Sequence, residues 1–125
     1  MRLLGITPML AVADISAAES FLAECLGFET TFRQDNYAFC RRAGGAIRLI
    51  EAEPGADMDD PARQHIVYLD TDDVDGYFEA HREALEKLPE GHFRPPFDQP
   101  YMQREMHIIH GPFLFMVGQD IRDRT

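Results

Sequence analysis

Asp14-Ile15-Ser16 and Asp73-Val74-Asp75 decide the fold, because each stretch follows a β-compatible apolar run and begins a helical pattern. After each helix the chain continues into further short β-compatible runs. This repeated order predicts an internal duplication of one βαβββ unit, in an α+β fold. The copies cover about residues 4–52 and 64–119, and an acidic linker at 53–63 joins them within a single domain of residues 1–125.

The first copy contains start and stop signals for its elements. Residues 4–12 are predicted to form a strand, and Ser16-Ala17-Ala18-Glu19 has the form of a capping box, which holds the first free amides of a helix. Gly27 is predicted to end that helix. Three strands are then predicted at residues 28–33, 37–42 and 46–52, with turns at Asp35-Asn36 and Gly44-Gly45.

The second copy begins with a predicted strand at residues 65–69 and a helix at 73–88. Prolines within residues 95–100 interrupt the chain, so the strand around Phe93 is predicted to be short or to lie at an edge. A closing hairpin is predicted over residues 106–117.

Composition indicates one compact soluble domain. The chain has 125 residues, of which 45 % are hydrophobic and 27 % are charged. No run approaches the roughly 18 apolar residues of a membrane span. The first residues lead into the predicted strand without a signal-peptide pattern, and Cys25 and Cys40 are too few for a disulfide framework. We therefore expect a cytoplasmic protein with reduced thiols that does not bind membranes.

The net charge of −10 is strongly acidic and unevenly distributed. Between Glu51 and Asp75 the chain carries nine acidic residues against the single base Arg63. Nucleic-acid binding needs a basic stripe, so a nucleic-acid partner is not expected. The acidic segment is interpreted as a solvated loop and helix start, or as a field that attracts cationic ligands.

Three stretches, taken in order, resemble one known family. They are Pro8–Phe28, with Val12-Ala13-Asp14-Ile15-Ser16 and Cys25-Leu26-Gly27-Phe28; Gln64–Leu69 with Asp72-Asp73-Val74-Asp75; and Pro100-Tyr101-Met102-Gln103-Arg104-Glu105-Met106-His107. Their order and spacing resemble the vicinal oxygen chelate superfamily, which includes glyoxalase I, bleomycin-resistance proteins and extradiol dioxygenases. The likeness runs from about Leu4 to Gln119. It implies tandem βαβββ repeats whose paired, cupped mixed sheets enclose a cavity.

The resemblance also indicates where metal-dependent members of the family hold their ion. Those places fall on Thr7, Arg48, His65 and Met116, of which only His65 is an ordinary metal ligand. A hydroxyl binds weakly, a guanidinium is always cationic and a thioether prefers soft metals. Since a catalytic metal needs about three protein ligands, we expect no metal, no other cofactor and no catalytic residue here.

A cavity without a metal can still bind a ligand, and the sequence supplies side chains to line one. An apolar wall is predicted from Phe39, Phe97, Tyr101, Phe115 and Met116. Thr7 belongs to the same predicted site, and its polar anchors are Arg48, Arg104 and His65. The alternative for Phe39, Phe115 and Met116 is an ordinary place in the core.

An inward-facing Arg48 needs an anionic or dipolar partner, which is either Glu105 or an acidic or carbonyl-bearing ligand. The other histidines are expected to be ordinary packed or surface residues: His81, His92, His107 and His110.

The resemblance is closest to the metal-free bleomycin-resistance type. It implies a non-catalytic homodimer that binds an antibiotic-like molecule or an aromatic metabolite. The alternatives are an acidic interaction domain, or a lyase, isomerase or dioxygenase that uses a non-standard metal site or His65 as a base. Whole-chain acidity favours a cationic ligand whereas Arg48 and Arg104 favour an anionic or neutral one, so the ligand's charge is left open. Pairing of the repeats within one chain or between two is also left open.

Overall fold

The computed structural model describes residues 1–122, which form two four-stranded mixed sheets and two α-helices. In chain order the elements are β1 (Met9–Val12), α1 (Ile15–Leu26), β2 (Glu29–Gln34), β3 (Tyr37–Arg42), β4 (Gly45–Glu51), a 3-10 turn (Pro61–Arg63), β5 (His65–Asp70), α2 (Val74–Glu86), β6 (Phe93–Asp98), β7 (Gln103–His110) and β8 (Phe113–Asp120). The element order confirms the predicted α+β class with two βαβββ units.

The two sheets have the same topology. The first has the strand order β1-β4-β3-β2 and the second has the order β5-β8-β7-β6. In each sheet the first strand is parallel to the last, and the remaining pairs are antiparallel. The helix of each unit packs on its own sheet, and the two helices also contact each other. The helices therefore connect the two units.

Each sheet has one face that packs on a helix and one face that we call the open face. Side chains alternate between the faces of a strand, so the buried residues of β3 and β4 identify the side that faces α1. They are Ala38, Cys40, Ile47 and Leu49. In β7 and β8 the corresponding buried residues are Met106, Ile108, Phe113, Phe115 and Val117. The core lies between these faces and the helices.

The first strand is shorter than predicted. Residues 1–8 form no strand, and β1 begins at Met9, which pairs with Arg48 of β4. Pro8 accepts a hydrogen bond from the Arg48 amide but has no N–H of its own to continue the ladder. The preceding side chains are left exposed, with Leu4 at 85 % and Ile6 at 87 %.

The helix α1 begins at a different cap from the predicted one. Asp14 is the N-cap, and its carboxylate accepts from the Ala17 amide at 3.1 Å, so the capping box at residues 16–19 is wrong. Glu19 instead bonds Thr30 and Arg33 of β2. Gly27 ends the helix as predicted, with φ of 73° in the left-handed region.

The remaining elements follow the sequence closely, with small shifts at their ends. The turn between β3 and β4 uses Ala43 and Gly44, one residue earlier than predicted. β6 is the edge strand predicted around Phe93, and its two prolines lie at a break in register between Arg94 and Phe97. Neither helix within residues 1–122 is long and apolar enough to cross a membrane.

Candidate functional site

The open face of the first sheet is centred on Arg48. Its Nε donates to Thr7 Oγ1 at 2.9 Å, and Nη1 donates to the hydroxyl of Tyr37. The guanidinium lies over the ring of Phe39, 4.7 Å from its centroid. All three partners belong to the first unit, and within residues 1–122 no carboxylate forms an ion pair with Arg48. Glu105 is therefore not the partner of Arg48.

The open face of the second sheet is centred on Glu105, which is fully buried. Tyr68 and Tyr101 donate to its Oε2 at 2.9 and 2.7 Å. Gln99 Nε2 and His107 Nε2 lie 3.1 and 2.9 Å from its Oε1. A buried carboxylate is tolerated only when its lone pairs are bonded, and these four contacts satisfy that requirement.

The hydrogen bonds keep Glu105 ionised. Burial by itself raises the pKa of the carboxyl, but the bonds from His107, Tyr101, Gln99 and Tyr68 outweigh it and lower the pKa to about 2. Burial and the bond to Glu105 raise the pKa of Tyr68. The same bond, more than burial, raises the pKa of Tyr101. The centre is thus one carboxylate held by protonated phenols.

Backbone geometry positions these groups. Glu105 is paired with Gly118 across the β7–β8 ladder, and Tyr68 is paired with Met116 across the β5–β8 ladder. The Tyr68 ring crosses the space that a side chain at position 118 would fill. Tyr101 follows β6, the strand at the other edge of the sheet from β5, and reaches the same carboxylate on the same open face.

Met116 and Phe97 lie on the same open face as Glu105. Met116 is paired with His107, and the ring of Phe97 meets the ring of His107 edge-on at 4.9 Å. The guanidinium of Arg94 lies over the Phe97 ring, with its central carbon 3.5 Å from the ring centroid. Phe97 and Met116 therefore share the open face with Glu105, whereas Phe39 of the predicted apolar wall lies on the first sheet and Phe115 lies in the core.

Three of the predicted site residues lie on the helix-facing side instead. His65 lies on the opposite face of β5 from Ile66 and Tyr68. Its ring stacks on that of Phe113 in the core, with the two ring centroids 6.3 Å apart. Phe115 is 1 % exposed and belongs to the core. Arg104 pairs with Asp98 at 2.7 Å and with Asp75 of α2 at 2.9 Å. These side chains do not share a face with Met116.

The side chains at the four family positions do not fit a divalent cation. Arg48 occupies one position with a permanent positive charge and already bonds Thr7, while Met116 and His65 lie on opposite faces of their sheet. Within residues 1–122 no cluster of three or more His, Cys, Asp and Glu side chains could hold a metal.

Two cavities border the sheets. A groove of about 650 Å³ lies between the units and is lined by residues 42–47 and 67–72, with Ile6, Pro8, Phe28 and Tyr77. Among the described residues, the stretch 45–47 of β4 pairs with no strand on the side of β1, and β5 is an edge strand. Both walls thus present unpaired backbone groups. A second cavity of about 440 Å³ lies at the β7–β8 turn and includes His65.

Sequence reasoning did not identify the Glu105 centre as a site. Glu105 was considered only as a partner for Arg48, and His107 only as an ordinary histidine. The available signal was alternation, because Glu105 and His107 are two apart on a strand and share a face with Met116. Tyr68 and Gln99 gave no signal, since their contacts depend on the Gly118 gap and on the turn after β6.

Solved structures with the same fold include antibiotic-binding proteins. A bleomycin resistance determinant encoded on the transposon Tn5 superposes with a TM-score of 0.75 at 20 % identity, over 93 % of this chain and 97 % of that chain. The bleomycin-binding protein of Streptomyces verticillus, complexed with copper(II)-bleomycin, gives 0.74 at 21 % identity, over 94 % and 96 %. A lactoylglutathione lyase from Agrobacterium tumefaciens gives 0.68 at 22 % identity, over 95 % and 96 %. These likenesses show the fold.

Sequence comparison shows the family. No curated protein sequence matches the chain. The family profile described as Glyoxalase/Bleomycin resistance protein/Dioxygenase superfamily matches residues 6–113, which is most of its length. Together with the two βαβββ units, this match means that the chain belongs to the glyoxalase/bleomycin resistance protein/dioxygenase superfamily.

Proposed function

We propose that this protein binds a small, partly aromatic molecule, an antibiotic or a metabolite, and does not convert it. The observation that best supports this proposal is that Arg48 occupies a strand position at which metal enzymes of this superfamily place a metal-binding side chain. A guanidinium bonded to Thr7 and Tyr37 supplies binding contacts but no coordination chemistry. The bleomycin-binding proteins of the same fold support small-molecule binding as the common activity.

Arg48 has binding capacity left over. Two of its nitrogens donate to Thr7 and Tyr37, and its other N–H groups have no partner within the described residues 1–122. A half-buried cation without a carboxylate partner favours an acceptor from a ligand. Phe39 offers an aromatic surface beside it. We propose that the first open face binds a carbonyl or acidic group of the ligand.

We further propose a homodimer in which a second copy covers the groove between the units. An exposed, apolar N-terminal segment supports this, because Leu3, Leu4 and Ile6 are each at least 80 % exposed. The unpaired edges of β4 and β5 give such a segment backbone groups to bond. The oligomeric state is measured by light scattering, and deletion of residues 1–6 should yield monomers if the segment holds the pair together.

The remaining proposals concern organisation and location. We propose that residues 1–125 form a single domain of two repeats, about 4–52 and 64–119. We also propose a cytoplasmic location, which agrees with the free, buried thiols of Cys25 and Cys40.

A thermal-shift screen of antibiotics and aromatic metabolites, with and without a chelator, tests the binding function. A ligand at 100 times its Kd should stabilise the fold by about 2.7 kcal/mol, whether or not the chelator is present. The variant Arg48→Ala should lose this stabilisation while it still unfolds cooperatively. Arg82→Ala removes the same charge from the exposed side of α2 and serves as the matched control. Equal ligand affinity in Arg48→Ala and the control would remove Arg48 from the site.

The enzymatic alternative makes a different prediction. A lyase, isomerase or dioxygenase with a non-standard site should carry close to one metal per chain, and His65→Ala should remove that metal. Elemental analysis of the purified protein distinguishes this alternative from the binding function. Turnover that survives the chelator but is lost in His65→Ala would instead identify His65 as a base.

A further inference from the structure

The groups around Glu105 share one property, which is that each of them directs a donor inward to the carboxylate. Tyr101 donates its single proton to Oε2 at 2.7 Å and makes no other hydrogen bond within residues 1–122. The residue is 55 % exposed, and because its proton is directed to Glu105, its oxygen can only accept from a further group. A group that approaches Tyr101 from the open face therefore meets an acceptor.

Tyr68 has the same arrangement. Its oxygen lies 2.9 Å from Glu105 Oε2 and 3.0 Å from Gln103 Oε1. A phenol has one proton, and an ionised carboxylate is the stronger acceptor. The proton therefore goes to Glu105, and the Gln103 amide turns its NH₂ toward the phenol oxygen. Tyr68 thus holds its proton inward as Tyr101 does, while its oxygen accepts from Gln103.

His107 and Gln99 complete the set. Because an ionised Glu105 can only accept, the His107 Nε2 that lies 2.9 Å from it must carry a proton. Gln99 donates through Nε2, which leaves its carbonyl oxygen free to accept. We call Tyr68, Gln99, Tyr101 and His107, with Glu105 beneath them, the Glu105 patch.

Charge and shape around the patch favour the same kind of ligand. Glu105 contributes a negative charge, and Arg104 of the same strand faces the other way, where it pairs with Asp75 and Asp98. Phe97 and Met116 supply an aromatic and an apolar surface on the same face. The guanidinium of Arg94 lies 3.5 Å from the Phe97 centroid, so this ring already holds a cation and does not take the one of the ligand.

We propose that the Glu105 patch binds the cationic, N–H-bearing end of a ligand, an amidinium, guanidinium or primary ammonium group. The inference rests on the proposed small-molecule binding function and names the ligand class at one of its two faces. An anionic end would meet outward lone pairs above a buried carboxylate, which repel it. Opposite preferences for ligand charge then belong to different faces of the protein. Arg48 takes an acceptor on the first sheet, and the Glu105 patch takes a donor on the second.

Benzamidine, benzamide and benzoate form a matched set of probes, since they share a ring and shape but carry positive, zero and negative charge. Calorimetric titration of the full chain should give benzamidine an affinity about tenfold or more above that of benzamide. A charge-assisted hydrogen bond is stronger than a neutral one, and the difference corresponds to about tenfold in affinity. Benzoate should bind the patch weakest. In NMR spectra, benzamidine should shift the ring signals of Tyr68 and Tyr101 more than those of Tyr37 and Tyr77.

Two variants test the origin of this preference. Glu105→Gln keeps the shape but removes the charge and frees the phenol protons to turn outward, so the preference for benzamidine over benzamide should fall by about tenfold. Tyr101→Phe removes one outward acceptor from an exposed side chain and should weaken benzamidine severalfold even if Glu105→Gln does not fold. Glu24→Gln removes the same charge from the exposed surface of α1 and should change neither.

The outcomes separate the two proposals. In an Arg48→Ala background, where the first open face no longer offers a cation, equal affinity for the three probes or tighter binding of benzoate would overturn the cationic patch. Benzamidine binding that leaves the Tyr68 and Tyr101 signals unchanged would overturn it as well. A loss in Glu24→Gln equal to that in Glu105→Gln would also overturn it, because net charge would then explain the preference. Stabilisation by neutral or acidic aromatics in the thermal-shift screen would still support the binding function. A screen without any stabilising molecule counts against the function itself.

Discussion

The phenol of Tyr68 occupies the space above Gly118, where a Cβ would stand 1.9 Å from the phenol oxygen. Gly118 is also the residue paired with Glu105 across the β7–β8 ladder. The absence of a side chain at position 118 is therefore what lets Tyr68 reach the buried carboxylate. Position 118 requires a glycine because the Tyr68 ring approaches its backbone closely, and not because of an unusual φ.

Replacement of this glycine should open the Glu105 patch. In Gly118→Ala the new methyl displaces the Tyr68 ring and removes one hydrogen bond from a buried carboxylate, at a cost of about 1–3 kcal/mol. Urea unfolding measures the cost, and Gly44→Ala is the control, because a Cβ at Gly44 meets nothing within 4 Å. In a Tyr68→Phe background the effect of Gly118→Ala should be smaller than in the natural sequence. Strictly additive effects would contradict the account.

The ionised state of Glu105 should make the fold sensitive to acid. Its pKa falls from an ordinary value of 4.5 to about 2 on folding, so its stabilising effect is complete above pH 4.5. That effect is lost as the pH falls from about 4.5 toward 2. The loss amounts to up to about 3 kcal/mol. Unfolding free energies measured across this range should fall less steeply in Glu105→Gln than in the natural sequence, and equal slopes would show that other carboxyls cause the acid sensitivity.

The contact between the two helices should depend on Arg42. Its Nη1 donates to the Leu26 carbonyl at 2.8 Å and lies 2.9 Å from His81 Nε2, and its guanidinium lies 4.3 Å from the Tyr77 centroid. Arg42→Met should therefore destabilise the fold by about 2–3 kcal/mol, since it leaves a buried carbonyl with fewer donors. Arg41→Met removes the same charge from the exposed neighbour and should cost little. Denaturant unfolding of both variants gives the comparison.

The position of the α1 cap can be tested by paired substitutions. Asp14→Ala should cost about 1 kcal/mol, because the carboxylate holds the Ala17 amide. Ser16→Ala should be close to neutral, since Ser16 is exposed and its side chain bonds nothing within residues 1–122. Helix content by circular dichroism and unfolding free energy provide the readouts. The reverse order of costs would restore the capping box at residues 16–19.

The sequence was sufficient for the fold because its signals there are local. Gly27 ends α1 because a glycine readily adopts the left-handed φ of a helix C-terminus. The start of α2 at Asp73-Val74-Asp75 likewise depends only on residues close to it in the chain. The first strand was overestimated because strand length depends on a partner. Residues 4–7 have β-compatible side chains, but within residues 1–122 no strand pairs with their backbone.

The candidate site was less predictable because it depends on parity and register. Thr7 and Arg48 are brought together, yet His65 and Met116 fall on opposite faces. A shift of one residue along β5 moves a side chain to the other face of the sheet. The spacing of sequence motifs does not determine which face a given residue occupies. The roles of Thr7, Arg48 and the other predicted ligand-binding residues stay predictions until a ligand is titrated.

Within residues 1–122 the segment before Pro8, residues 45–47 of β4 and the outer edge of β5 all lack a strand partner, so in the proposed homodimer each copy would both donate and receive a strand. Reciprocal exchange between two copies closes the assembly and leaves neither edge available. Exchange in one direction passes a free edge to the next copy and builds a fibre. In that proposed homodimer, the placement of the segment before Pro8 would decide between a finite pair and open-ended polymerisation, and mutations that alter it would appear first as a solubility defect.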